Sequence, residues 1–218
     1  MINHQAASAY SEIQPFFCIF GKMFDLNVYN TLEPQKGRLL ITEPFMVNEY
    51  FHRSVILLCE HNEDGSFGFV LNNYTDIRLS QFENMTEIEP YDQEFRISIG
   101  GPVSSKNLYY IHTLGDKLPN SIHVTQNIYA GGDFDTLKTL MADGKVSPDE
   151  VRFFLGYSGW VEKQLNGELK QNSWLVSEID HQDDIMDVNY DNIWKDYMER
   201  QGGKYKVFAN FPKDPAMN

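Results

Sequence analysis

Arg53-Ser54-Val55-Ile56-Leu57-Leu58-Cys59-Glu60-His61-Asn62-Glu63-Asp64-Gly65-Ser66-Phe67-Gly68-Phe69-Val70-Leu71 is the stretch on which the fold turns. Two apolar runs, Arg53 to Glu60 and Phe67 to Leu71, are separated by Asn62-Glu63-Asp64-Gly65, whose Asp-Gly pair supplies the positive φ that a tight turn needs. The spacing predicts a β-hairpin. It also leads us to expect His61 and Asn62 beside Asn72 and Asn73 once the hairpin closes.

Working outward, Arg38 to Thr42 reads as a further strand closed by Glu43-Pro44, and Leu79 to Met85 as a short helix. Phe95 to Ile99 is a strand ending at Gly100-Gly101-Pro102; Leu108 to Thr113 and, more weakly, Ile122 to Ile128 are two more. Gly131-Gly132-Asp133 then introduces Phe134, Leu137, Leu140 and Met141 at helical spacing, with Asp133 placed as N-cap and Gly144 as stop. Ser147-Pro148-Asp149-Glu150 has the form of a capping box, with at most one helical turn before the strand Val151 to Leu155. Gly156 to Trp160 is expected to be a tight strand-to-helix turn in which Ser158 caps and Trp160 packs. Trp160 to Lys170 is an amphipathic helix, Ser173 to Ile179 a strand, and Asp191 caps a last helix ended by Gly202-Gly203. Strands interleaved with helices give a mixed α/β (α+β) domain. Residues 1–22 read as an extension whose Phe16, Phe17 and Phe20 can dock on the domain or a partner, with Met23 as an alternative start; residues 23–218 form one domain.

The 218 residues carry 18 basic and 31 acidic side chains, a net charge of −13, so phosphate backbones and anionic lipid surfaces are repelled overall. An apolar content of 42% with 14% aromatics excludes a largely disordered chain. Cys18 and Cys59 build neither a disulfide scaffold nor a four-thiolate zinc site, and reduced thiols in the cytoplasm are expected. The longest apolar runs, Phe16 to Phe20 and Val55 to Cys59, fall far short of the ~20 residues that span a bilayer. No secretory signal is recognised at the N-terminus.

Several segments together resemble the YqgE/AlgH family of bacterial proteins, often labelled transcriptional regulators. They are Gly37-Arg38-Leu39-Leu40-Ile41 with Pro44, Phe51-His52-Arg53-Ser54-Val55, Cys59-Glu60-His61-Asn62 with Gly65, Gly68 and Val70-Leu71-Asn72. Further on come Gly100-Gly101-Pro102-Val103, Gly132-Asp133, Arg152 through Trp160, Gln164-Leu165, Glu168-Leu169 and Trp174. The resemblance covers roughly residues 23–203 and implies a bifurcated mixed β-sheet folded toward a pseudo-barrel and flanked by helices. It implies no agreed catalytic residues. Where the family often has proline after Leu71-Asn72-Asn73, this chain has Tyr74.

Chemical candidates are sparse. Cys59 and His61 share a face of an extended strand, but nothing supplies the cation and orienting group that a nucleophilic thiol needs. Gly156-Tyr157-Ser158-Gly159-Trp160 lacks the second glycine of a nucleophile elbow at its proper spacing. Gly131-Gly132-Asp133 is a self-capped helix start, and Glu178 to Arg200 is a solvated acidic face able to dock a basic partner. The leading expectation is a cytoplasmic, non-enzymatic binding or regulatory protein acting through protein contacts, without catalytic residues, metal or cofactor. Its candidate binding residues are Arg53, Glu60, His61, Asn62, Asn72, Gly100 and Gly101. The alternatives are a direct DNA-binding regulator, disfavoured by charge, and an enzyme with a cleft near Arg53, Glu60, His61 and Asn72.

Overall fold

A computed structural model describes residues 30–46, 48, 50–82 and 95–212. The extension at 1–22 and residues 83–85 of the expected Leu79 to Met85 helix lie outside these; the described part of the latter forms a 3-10 turn at Leu79–Gln81, with Phe82 already extended. Among the described residues ten strands form one sheet: β1 (Leu39–Thr42), β2 (Val55–Asn62), β3 (Gly65–Val70), β4 (Tyr74–Thr75), β5 (Ile97–Ile99), β6 (Val103–His112), β7 (Ile122–Thr125), β8 (Ile128–Ala130), β9 (Val151–Val161) and β10 (Trp174–Ser177). The main path runs β10-β1-β2-β3-β9-β6-β8-β7, with β4 and β5 branching from it. The hairpin is formed as expected, with Asn62 opposite Gly65.

The branch point is β9. Its second half, Ser158 to Val161, pairs with β3, while Phe153 to Leu155 pairs in parallel with β5 along the same edge. The opposite edge is taken by β6. This corrects the expected turn at Gly156 to Trp160: the glycines there belong to one long strand. Gly156 adopts φ 66°, and a Cβ on it would lie 2.5 Å from the Gly101 carbonyl, so the residue is needed where two backbones cross. Ser158 caps no helix; its hydroxyl donates to the Gly100 carbonyl at 3.0 Å.

Five helices flank the sheet among the described residues: α1 (Phe134–Ala142), α2 (Gln164–Lys170), α3 (Asp183–Met186), α4 (Ile193–Arg200) and α5 (Gly203–Ala209). Asp133 caps α1 as expected, accepting from the Thr136 amide at 2.8 Å. Glu150 Oε2 likewise accepts from the Ser147 amide at 3.0 Å, and one 3-10 turn, Pro148–Glu150, follows. Asp191 is not the cap of α4; Asn192 holds that position, and Asp191 lies 3.8 Å from Arg96. Gly202-Gly203 ends α4 as expected, with Gly202 at φ 71°, but α4 is not the last helix, because α5 begins at Gly203 after the change of direction. The segment Ile122 to Ile128 divides into β7 and β8 around Gln126, φ 46°.

Among the described residues the curled sheet makes three apolar clusters. Inside the curl, Leu39, Ile41, Leu57 and Phe69 meet Ile111, Val124 and Ile128, and the mouth is closed by Ile193, Trp194, Tyr197 and Met198 of α4. On the outer face, Phe153 and Leu155 pack with Leu137 and Met141 of α1, while Leu58, Val70 and Trp160 pack with Leu165 of α2 and Trp174. Among the described residues no ladder joins the two ends of the path, so the sheet curls toward a barrel without closing.

A candidate binding groove beside strand β6

The curl leaves a groove of about 690 Å³ between β3, β6, β8 and α1. Phe67 and Phe69 alternate on β3 and so share a face; Tyr109 of β6 and Tyr157 of β9 join them through strand pairing. Ring centroids lie 6.1 Å apart for Phe67 and Tyr157, 5.5 Å for Tyr157 and Tyr109, and 6.0 Å for Tyr109 and Phe69. Phe69 stacks on Phe154 beneath at 4.6 Å, which fixes its orientation. The other wall is Leu108, Tyr110 and Phe134, with the Tyr110 hydroxyl donating to the Gly132 carbonyl at 2.9 Å. Burial, then the Asp133 charge, pushes the Tyr110 phenol up to about 12, so it stays a neutral donor. Ile122, half exposed, stands at the rim.

Behind the Gly131-Gly132 rim lies a serine–histidine contact that sequence reasoning missed. Ser121 Oγ is 3.0 Å from His112 Nε2. The His112 ring is buried and its pKa is lowered by that burial. Its Nδ1 accepts from the Leu114 amide, so the tautomer assigned by these bonds puts the proton on Nε2, which donates to the Gly131 carbonyl at 2.9 Å. Ser121 in turn donates to the Leu118 carbonyl at 2.7 Å. An activated serine needs the reverse arrangement, with Nε2 open to its proton. The pair therefore buttresses the glycine rim.

The expected site residues separate into three places. Asn62 Oδ1 accepts from the amides of Asp64 and Gly65 and closes the hairpin turn; His61 Nδ1 meets Ser66 Oγ at 2.7 Å; Glu60 lies 3.6 Å from Lys36. At the far end of β2, Asn72 Nδ2 donates to the Arg53 carbonyl and Asn72 Oδ1 accepts from the Val55 amide. His61 and Asn62 are thus not beside Asn72, which corrects our expectation: in an antiparallel hairpin the turn is remote from the open end, here by about 25 Å along an eight-residue strand. The enzyme alternative required those groups in one cleft. Arg53, at φ 49°, rests 4.8 Å above the Trp194 ring and donates to the carbonyls of Phe211 and Pro212. Gly100 and Gly101 form the third place. The close approach they permit is by β9 itself, since Cβ atoms there would lie 2.4 Å from the Gly156 carbonyl and the Ser158 amide nitrogen.

Cys59 is fully buried beside a bulge and its thiol is pushed far up by that burial, while His61 is engaged elsewhere. Among the described residues no cluster of three or more His, Cys, Asp or Glu side chains is arranged to hold a metal, and no helix is long and apolar enough to cross a membrane. In the acidic stretch, Arg200 holds Asp180 and Asp184 at 2.8 and 3.0 Å.

The AlgH-like family model matches residues 39–206. A UPF0301 protein of Parabacteroides distasonis is 44% identical over 191 residues, covering 87% of this chain and 94% of the relative. One of Cytophaga hutchinsonii is 41% identical over 184 residues, covering 84% and 98%. The solution structure of AlgH from Pseudomonas aeruginosa superposes with a TM-score of 0.64 at 25% identity, covering 84% of this chain and 98% of that one. A crystal structure of a Corynebacterium diphtheriae protein gives a TM-score of 0.66 at 23% identity over 84% and 95% and shares the fold. With the bifurcated sheet, its β9 branch point and matches across most of its length, the chain belongs to the AlgH-like family.

Proposed function

We propose that this chain is a non-enzymatic cytoplasmic binding protein that acts by holding another protein in the groove beside β6. The observation that carries the reading is the composition of the groove: aromatic and aliphatic walls about 690 Å³ in extent, built from Phe67, Phe69, Tyr109 and Phe134, with a half-exposed Ile122 at the rim. Such a surface favours association through apolar burial and ring contacts and presents few groups able to move protons. The tautomer of His112 speaks in the same direction.

Affinity capture from native lysate, with the full chain and with Ile122→Glu as bait, tests this. A stoichiometric protein retained by the natural chain and lost by Ile122→Glu is expected, with both baits folded by circular dichroism. Equal retention by both baits refutes the groove, and enrichment of a small molecule in place of a protein moves the reading to an enzyme or metabolite carrier.

A further inference from the structure

Between its two walls the groove exposes a strand edge. β8 pairs with β6 at Ile111 and His112, and the Gly131 amide adds one more bond, to the Tyr110 carbonyl at 3.1 Å. Gly131 and Gly132, at φ 64° and 120°, then turn the chain away into α1. Upstream of Tyr110, among the described residues, β6 has β9 on one side and no strand on the other. Its register with β9 also slips: five steps from Val103 to Leu108 match two from Tyr157 to Leu155, so Ser104 to Asn107 bulge outward and are exposed. Ser104 takes φ 49° at the start of this bulge.

An unpaired edge of amides and carbonyls has a specific complement, which is another extended backbone with the same alternation. Here the edge runs between apolar surfaces on both faces, Phe69 and Tyr109 on one and Leu108, Tyr110 and Phe134 on the other. A strand laid there buries both of its faces, and strands buried on both faces are continuous apolar runs rather than alternating ones. Charge narrows the choice. Lys138 on the α1 side is neutralised by Asp135 at 2.8 Å, whereas Lys106 on the bulge makes no ion pair among the described residues.

Building on the groove-binding reading, we propose that the regular part of the β6 edge, Leu108 to Tyr110, receives a strand from a partner protein, with the bulge at Ser104 to Asn107 marking where the pairing ends. This strand continues the line of β8 antiparallel to β6, consists of a continuous run of apolar residues, and carries an acidic side chain at the end that reaches the bulge bearing Lys106.

The probe is a random dodecapeptide display library selected on the immobilised full chain, followed by synthesis of the best binder. Selected peptides are expected to share an uninterrupted apolar run with an acid at one end. N-methylation of the alternate amides that face β6 should weaken binding about tenfold per bond lost, while methylation of the outward set leaves it unchanged. The Leu108 amide should exchange more slowly in the complex, and Lys106→Glu should shift selection toward basic termini. Binding indifferent to N-methylation, without protection at Leu108, overturns strand addition while leaving the groove as a binding site. Selection of no peptide that is displaced by the captured partner overturns both readings. Concentration-dependent self-association abolished by Lys106→Glu assigns the edge to a second copy of this chain and overturns the partner protein.

Discussion

Trp160 and Trp174 donate their indole N–H groups to the same oxygen, Glu168 Oε2, each at 2.8 Å. One carboxylate on α2 thereby ties the end of β9 to the sheet edge β10, with the two rings edge to face at 5.8 Å. Gln164 Nε2 holds the other oxygen, Oε1, at 3.0 Å. Gln164, Glu168, Trp160 and Trp174 look like scattered identities in the sequence and are one structural unit.

Removing that acceptor strands two nearly buried donors. Glu168→Ala should cost about 2–4 kcal/mol, in the lower part of the range given by roughly 1–3 kcal/mol for each of the two unsatisfied donors. In a chain of this size the melting temperature should fall by roughly 5–15 °C. Thermal unfolding followed by tryptophan emission measures both the loss and the altered indole environment, and an unchanged midpoint would show that the indoles find other acceptors.

Burial pushes the Glu43 carboxyl up to about 7 from 4.5, against a lowering contribution from the Phe45 amide. Between those values the folded state binds the extra proton, so this group's contribution to stability falls as pH rises from about 4.5 through 7. Glu43→Gln should be more stable than the natural chain by about 3 kcal/mol at pH 8 and equal to it near pH 4. His112 acts oppositely: its pKa is lowered by burial, so its contribution is lost as pH falls below 6.5, in the variant as in the natural chain. Chemical denaturation across pH for the two proteins separates the two slopes.

Arg152 is fully buried on β9, with its guanidinium donating to the carbonyls of Leu71 and Ile185, and its Nε has no partner. The two carbonyls are held by different guanidinium nitrogens, and lysine has one nitrogen to offer both. Arg152→Lys and Arg152→Ala should therefore both lose about 3–5 kcal/mol. Arg152→Met, which carries no charge into the site, unlike lysine, and fills more of the buried space than alanine, should lose less than either. Denaturant midpoints for the three variants decide, and full rescue by lysine would sink the argument.

The two ends of β2 should respond differently to truncation. His61→Ala removes one hairpin contact and should stay within about 0.5 kcal/mol of the natural chain. Arg53→Ala frees the carbonyls of Phe211 and Pro212 and uncovers Trp194, and should cost about 1–2 kcal/mol with faster amide exchange in α5. Equal effects at the two positions would contradict their assignment to separate places.

How much of this was legible in the sequence depended on whether the signal was local. Asp133 and Ser147-Glu150 carry their own capping chemistry and were readable, as was the hairpin, because turn and strands are contiguous. The full length of β9 was hidden because Gly156, Ser158 and Gly159 look like a turn; the glycine at 156 answers to Gly101, 55 positions away in the chain. α5 was hidden behind Gly202-Gly203, which end α4 and change the direction of the chain before the next helix begins. The groove was invisible since Tyr109 and Tyr157 meet only through the β6–β9 ladder, and the edge of β6 only acquires meaning once β8 is seen to leave it.

That β9 serves three strands has a bearing on synthesis at the ribosome. β3 leaves the exit tunnel about 90 residues ahead of β9, and β1 waits still longer for β10. At about 5–20 residues per second the nascent hairpin stands for roughly 5–20 s with its apolar faces and one strand edge uncovered. Translation thus passes through an interval in which apolar strand surface is open to other chains, and slowing the codons between β6 and β9 should raise aggregation of the newborn chain without altering the finished protein.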